Sequence, residues 1–232
     1  MLKSVYNRFT VYVRLLNEGT PCSRPAVAVY LRDGAYSLLP SADYDSNDEQ
    51  WEFRPGSIVL CEEVRKDGDV FLQAEKLHPI QLNALVGLPL TGATRAGAMA
   101  MFSFGTVRDV QTPRGIRQKP DFSLHPQCAW RLVGGDSVLL GSSDLYYPAD
   151  GSEDCSNFDW DIPSASRRDV LMGDLMRGSD QLIVTRAELG LAGALHIWFD
   201  QNYCLEIMPN NSIEDEYWRL FKPGTNDRHL VV

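Results

Sequence analysis

Short runs of Val, Tyr, Phe and Leu, broken by polar turns, dominate the first third of the chain. Phe9–Leu16, Ala26–Leu31, Ala35–Leu39, Ser57–Glu62 and Val70–Glu75 read as strands. Arg32-Asp33-Gly34-Ala35 and Lys66-Asp67-Gly68-Asp69 each place an Asp-Gly pair between apolar runs. Asp-Gly tolerates the positive φ angles that a two-residue hairpin demands. Pro25 and Pro55 stand just before strands, where no ladder N–H is lost. This spacing predicts a compact all-β unit over residues 1–76, a small SH3-like β-barrel. The loop Ser41–Glu52 is polar and acidic, with Tyr44 and Trp51 set into it. Pro79 suits a first helical position, Leu82, Leu85 and Val86 form an apolar stripe, and Gly87 can end it, so Pro79–Val86 reads as a short helix. Leu88–Met99 is rich in small residues and reads as a linker or close-packed turn, which makes 77–92 the junction between two domains.

Residues 93–232 carry the pattern of a mixed or antiparallel sheet domain with one or two short helices. Met99–Phe104, Gln127–Val133 and Ser137–Leu140 read as strands, the last two joined at Gly134-Gly135. Arg108–Asp121, with Arg108, Arg114, Arg117 and Lys119 among Pro and Gly, reads as a mobile basic hairpin tip. Ser166 can cap a helix that runs through Arg177 and closes at Gly178. Leu182–Ala187, Ala194–Phe199 and Tyr203–Met208 follow as consecutive antiparallel strands, with Asp200-Gln201-Asn202 as a turn. Ser212 and Asp215 resemble a capping box that starts a short turn through Trp218, and His229–Val232 supplies a last strand. The fold class is therefore α+β and β-rich, with no repeat and no low-complexity tract.

The length of 232 residues allows one large domain or two small ones. No apolar run approaches the roughly 20 residues of a membrane helix, and the N-terminal stretch lacks the h-region of a signal peptide. Five scattered cysteines, Cys22, Cys61, Cys128, Cys155 and Cys204, read as free thiols of a reducing cytoplasm. The net charge of −9 argues against nucleic acid and anionic membranes as partners, because both are gripped by Lys and Arg. Such a field steers a basic protein inward, although acidity for plain solubility accounts for the same number.

Motifs for catalysis are missing. There is no G-x-S-x-G elbow, H-E-x-x-H, C-x-x-C, Walker sequence or G-x-G-x-x-G fingerprint. His78, His125, His196 and His229 are far apart. His125 with Cys128 forms a weak candidate Cys–His pair in an apolar run, and His196 lies in a strand-like alternation that suits a satisfied sheet residue. Asp159-Trp160-Asp161 offers two carboxylates for a hydrolase, but an extended D-W-D segment puts both acids on one side and the ring on the other. The spacing over Asp150–Asp161 does not match an EF-hand. The expectation is no catalytic residue, no metal and no cofactor.

The densest signal is acidic. Asp136, Asp144, Asp150, Glu153, Asp154, Asp159 and Asp161 fall in one stretch without a Lys or Arg, among Tyr146, Tyr147, Phe158 and Trp160. Acid interleaved with large aromatics suits a surface that grips a basic protein, with rings as anchors and charge for speed and selectivity. The candidate anchors are Tyr44, Trp51, Tyr146, Tyr147 and Trp160. The candidate steering charges are Asp43, Asp45, Asp48 and Glu49 in the first half, and Asp150, Glu153, Asp154, Asp159 and Asp161 in the second.

Cys128-Ala-Trp-Arg-Leu, Leu140-Gly-Ser-Ser-Asp-Leu-Tyr-Tyr-Pro, Phe158-Asp-Trp-Asp, Leu205-Glu-Ile-Met-Pro, Glu216-Tyr-Trp-Arg-Leu-Phe and the closing His229-Leu-Val-Val together carry a resemblance. They resemble a widespread, uncharacterised group of bacterial cytosolic proteins that is similar to the immunity-type proteins of polymorphic and contact-dependent toxin systems. Val13-Arg-Leu-Leu-Asn-Glu-Gly-Thr and Trp51-Glu-Phe-Arg-Pro-Gly-Ser resemble a small β module found in similar company. The resemblance implies a cytoplasmic protein that neutralises a cognate toxin by covering its basic active-site surface. The alternatives are an acidic adaptor for another basic protein and a carboxylate-dependent hydrolase.

Overall fold

The computed structural model describes residues 8–232 apart from 43, 67, 113–114, 153–157, 179–180 and 214. Val231 aside, the chain divides between Gln81 and Leu82 into two compact units.

The first unit is all β. Its strands are β1 (Arg8–Leu16), β2 (Ser23–Tyr30), β3 (Ala35–Leu38), β4 (Gln50–Trp51), β5 (Ile58–Lys66) and β6 (Asp69–Leu77). Hydrogen bonding runs β2-β3-β5-β6-β1-β4, and β1 also pairs with β2, so the ladder returns to its first strand. The β1–β6 pairing is parallel, whereas β1–β2, β2–β3, β3–β5 and β5–β6 are antiparallel. The Asp33-Gly34 turn forms as the sequence predicts, and Gly68 lies between two paired strands, with Asp67 outside the described residues. Asp33 and Gly34 have φ of 55° and 75°, and Gly68 has φ 93°, between strands that meet at Tyr30↔Tyr36 and Lys66↔Asp69. Alternation buries Val11, Val13, Ala26, Ala28, Val59 and Ala74 in one cluster.

The second unit opens with a 3-10 turn, Leu82–Leu85, inside the segment expected to be helical. Its strands are β7 (Leu90–Ala96), β8 (Met99–Phe104), β9 (Arg108–Thr112), β10 (Gly115–Lys119), β11 (Phe122–Pro126), β12 (Ala129–Gly134) and β13 (Ser137–Gly141), then β14 (Val184–Leu189), β15 (Leu195–Phe199), β16 (Tyr203–Met208), β17 (Trp218–Phe221) and β18 (Leu230–Val231). The helix α1 spans Arg167–Arg177. One sheet has the order β18-β17-β11-β8-β7, a second β13-β12-β16-β15-β14, and β9 and β10 form a separate hairpin. Aromatic contacts join the apolar faces of the two larger sheets. Phe102 of β8 meets Trp130 of β12 edge to face at 5.0 Å, and Phe104 stacks on Phe199 of β15 at 6.4 Å.

Three expectations need correction. Leu88–Met99 is not a linker: Leu90–Ala96 is a strand paired antiparallel with β8, turning at Gly97 with φ +57°. Its small residues serve close approach, since a β-carbon on Gly92 would stand 3.1 Å from Ser103 Cβ. The segment before Trp218 does not carry a helical turn into that residue. Trp218-Arg-Leu-Phe is β17, its alternation burying Trp218 and Leu220. Asp159-Trp160-Asp161 is not extended, because Ile162 N–H donates to Asp159 O at 3.3 Å and closes a turn. The α1 cap is as expected at its start, although Gly178 ends the helix at φ −55° without using its left-handed freedom.

Trp218 is fully buried, and its indole N–H donates to Gly193 O at 2.8 Å. Trp218→Ala is expected to destabilise the second unit by about 3–5 kcal/mol, because a large cavity and an unpaired carbonyl are left behind. Urea unfolding followed through this unit checks the value.

Candidate acidic surface

Two hydrogen-bonded pinches define the acidic loop of the second unit. Ala149 N–H donates to Ala165 O at 2.8 Å, Arg167 N–H donates to Tyr147 O at 2.8 Å, and Pro148 bridges Ser166. Asp150 and Ser164 flank this neck. On its near side the 3-10 turn Ser142–Tyr146 presents Tyr146 and Tyr147 outward, 55% and 58% exposed. Asp144 braces that turn by accepting Gly141 N–H at 2.7 Å, and it faces Arg167 at 3.5 Å. On the far side Trp160 is half-buried against Tyr146, ring centroids 6.1 Å apart and edge to face.

An arginine that sequence reading passed over holds the loop. Arg95, on β7, donates from Nε to Asp169 Oδ1 at 2.6 Å and from Nη2 to Oδ2 at 3.0 Å. The same Nη2 reaches Trp160 O at 2.8 Å and Ile162 O at 3.3 Å, while Nη1 reaches Gly97 O at 3.2 Å. Asp169 also accepts Ser164 N–H at 3.0 Å, and its own N–H donates to the cap oxygen of Ser166 at 3.2 Å. The two side chains are 11% and 12% exposed, so this ion pair is largely dry. Burial pushes the Asp169 carboxyl up. Hydrogen bonding by Arg95 and Ser166, the Arg95 charge and the Ser164 N–H outweigh that and hold it below its ordinary 3.8. A cleft of about 410 Å³ opens beside the pair, lined in part by Thr94, Asp161, Ser164 and Met172.

A second arginine fixes the helix itself. Arg168 is buried, and its guanidinium donates to the carbonyls of Ala98 at 3.0 Å, Ser142 at 3.4 Å and Gly97 at 3.4 Å. Burial pushes its pKa down from the usual arginine value, and neighbouring Arg95 adds to that. Gly97 O thus accepts from both arginines.

The candidate residues divide accordingly. Asp150, Asp159 and Asp161 are exposed beside Tyr146, Tyr147 and Trp160. Asp150 accepts Ser152 N–H and Asp159 accepts Asp161 N–H, each at 2.9 Å, so these carboxylates shape their own turns while facing solvent. Glu153 and Asp154 lie outside the described residues, as does Asp43. In the first unit Trp51 is corrected to core. It is 4% exposed, within the cluster of Val11 and Val13, and its indole N–H donates to Glu49 at 3.2 Å. Tyr44 packs edge to face on Trp51 at 5.3 Å and is half-buried. Glu49 is bound by the Arg24 guanidinium, which holds its carboxyl below the usual range, so it is not a free steering charge. Asp45 and Asp48 remain exposed.

Burial pushes the Cys128 thiol up to about 11, which disfavours the thiolate a nucleophile requires. His125 meets Phe221 edge-on at 4.8 Å, and His196 stacks on Trp198 at 5.6 Å. Among the described residues no group of three His, Cys, Asp or Glu side chains is placed to hold a metal ion, and no helix is long and apolar enough to cross a membrane. Comparison with protein-family models, with curated proteins and with solved structures found no match.

Arg95→Met and Asp169→Asn are each expected to cost about 3 kcal/mol, because each strands a buried partner. The double variant is expected to cost clearly less than the sum of the two, as strongly coupled neighbours do. Urea unfolding of the set checks both. The folded Asp169 pKa lies below its ordinary 3.8, so its contribution is complete above that value and fades as pH falls through the lowered one. Asp169→Asn should remove this component of acid unfolding in a pH series of melts.

Proposed function

We propose that the acidic face of the second unit binds a basic protein, and that the chain is an immunity-type protein which neutralises a cognate toxin by covering its basic surface. One observation carries this reading: exposed Tyr146 meets Trp160, which lies between exposed Asp159 and Asp161 on a loop pinned by Arg95, with exposed Tyr147 and Asp150 flanking the neck of that loop. Exposed rings supply contact area at small cost in side-chain freedom, and the surrounding carboxylates speed and orient encounter with a cationic partner. Pinning the loop beforehand reduces what binding must spend on order. No Lys or Arg interrupts the sequence from Asp136 to Asp161, and the cations that approach from elsewhere, Arg167 at Asp144 and Arg95 beneath the loop, are engaged in holding it. The resemblance of these same segments to immunity-type proteins gives the partner its class and the cytoplasm as the site of action. The first unit, which we read as a small SH3-like barrel, adds exposed Asp45 and Asp48 and the half-buried Tyr44 as a subsidiary acidic patch.

A hydrolase reading has less support. Asp159 is engaged in its own turn, and Asp161 lies in the field of Arg95, which suits a charged surface better than an acid–base pair across a sugar.

Expression of the adjacent reading frame in a susceptible host, with and without this chain, tests the proposal. Rescue of growth with a co-purifying complex is the expected outcome. A harmless neighbour, or killing that the chain does not prevent, contradicts it. Within the complex, Asp150→Asn with Asp159→Asn, which keep the side-chain oxygen that closes each turn, should slow association several-fold while the melting temperature stays nearly constant. Tyr147→Ala should weaken binding by about 2 kcal/mol, chiefly through faster dissociation, in surface plasmon resonance.

A further inference from the structure

The β9–β10 hairpin, β11 and the turn after β17 enclose a recess of about 460 Å³. Its polar wall carries Arg108, Lys119 and Lys222 with a single carboxylate, Asp121. In a chain of net charge −9 this is a local inversion of sign. Its apolar wall includes Phe122, Val110, Leu88 and Pro223.

The one carboxylate is already committed. Asp121 accepts Thr106 N–H through Oδ2 at 2.7 Å, and its Oδ1 lies 2.7 Å from Arg108 Nη2. Gly105 permits this approach, because at φ +83° a β-carbon there would overlap the Asp121 side chain. Lys222 is only loosely matched. Its Nζ is 3.7 Å from Asp227, beyond hydrogen-bond length, and 5.7 Å from the Phe122 ring centroid. Lys119 takes part in none of the ion pairs among the described residues, although it is half-buried. The turn that follows Lys222 is drawn against it. Thr225 donates through N–H and Oγ1 to Lys222 O at 3.4 and 3.1 Å, and a β-carbon on Gly224 would stand 3.3 Å from Lys119 Cδ. Two lysines are therefore held on one wall, beside Arg108, without enough negative charge to balance them. An anion that enters meets these cations, and Val110, Leu88 and the accessible edge of Phe122 can cover an attached apolar body.

We propose that this recess binds a small organic anion, a phosphate or carboxylate on a flat apolar body. Lys119, Lys222 and Arg108 hold the charged group, and Phe122 and Val110 cover the rest. The site is independent of the acidic face and stands or falls separately from it.

Calorimetric titration of the full chain with 1-naphthyl phosphate, 1-naphthoate, 1-naphthol and inorganic phosphate tests the assignment. At least one naphthyl anion is expected to bind, with 1-naphthol and inorganic phosphate each weaker by roughly tenfold or more. The tighter of the two anions identifies the charged group. Lys119→Gln with Lys222→Gln should weaken the naphthyl anion by roughly tenfold or more without lowering the melting temperature. Amide shifts in the unaltered protein map the site directly, and Phe122, Lys222 and Thr225 should move. Absence of binding by both naphthyl anions, naphthol binding as tightly as they do, shifts remote from these residues, or unchanged affinity in the double variant would overturn the assignment.

Discussion

The fork of Arg95 on Asp169 is the contact on which the acidic surface depends. Three pieces of chain meet there: β7 through Arg95, the start of α1 through Asp169, and the acidic loop through the carbonyls of Trp160 and Ile162. Only a guanidinium serves all three, because its planar donors grip both carboxylate oxygens and still reach backbone carbonyls in other directions. A lysine offers a point charge without that geometry. The surroundings make the pair matter more than a surface bridge, since both side chains are largely withdrawn from water and each would be left stranded by loss of the other. Arg168 extends the same logic to the helix body, where carbonyls of Gly97, Ala98 and Ser142 take the place of a counter-charge.

The consequence is an acidic surface with a fixed floor. Asp150 and Asp159 close local turns with their own carboxylates, so charge density and loop shape come from the same residues. Like charges on one surface resist compaction, and Arg95 beneath the loop offsets that from within the fold. Tyr146 and Trp160 in edge-to-face contact brace the loop. The second unit also gathers cations elsewhere, at Arg108, Lys119 and Lys222, so its charge is segregated and not merely negative.

What could be read in the sequence was local. Asp33-Gly34 and Gly68 declare their hairpins because the backbone angle itself selects the residue. Asp200-Gln201-Asn202 does the same less obviously, with φ of 58° and 63° at its last two residues. Ser166 declares the start of α1 through its cap. Long-range partners were not legible. Arg95 lay in a segment of small residues with the look of a linker, and its partner is 74 positions away. The signal available in retrospect was Asp169 three residues after a capping serine, a carboxylate placed to be buried at a helix start. Trp51 misled for the complementary reason. Its neighbours in sequence are polar, whereas its neighbours in space are Val11, Val13 and the rest of the first core. The candidate surface was half legible: acid and aromatic density located the loop, but which rings faced outward depended on turns set by hydrogen bonds far from the motif.

Amide hydrogen exchange across residues 158–165, in the unaltered chain and in Arg95→Met at neutral pH, reads out the pinning of the loop by Arg95. Ile162, Ser164 and Ala165 donate to Asp159 O, Asp169 Oδ2 and Ile162 O within the pinned loop. If Arg95 pins the loop, these amides are measurably protected in the unaltered chain and lose that protection in Arg95→Met, with the strands of the second unit's two five-stranded sheets still protected. Protection that survives loss of Arg95, or none in the unaltered chain, would contradict it.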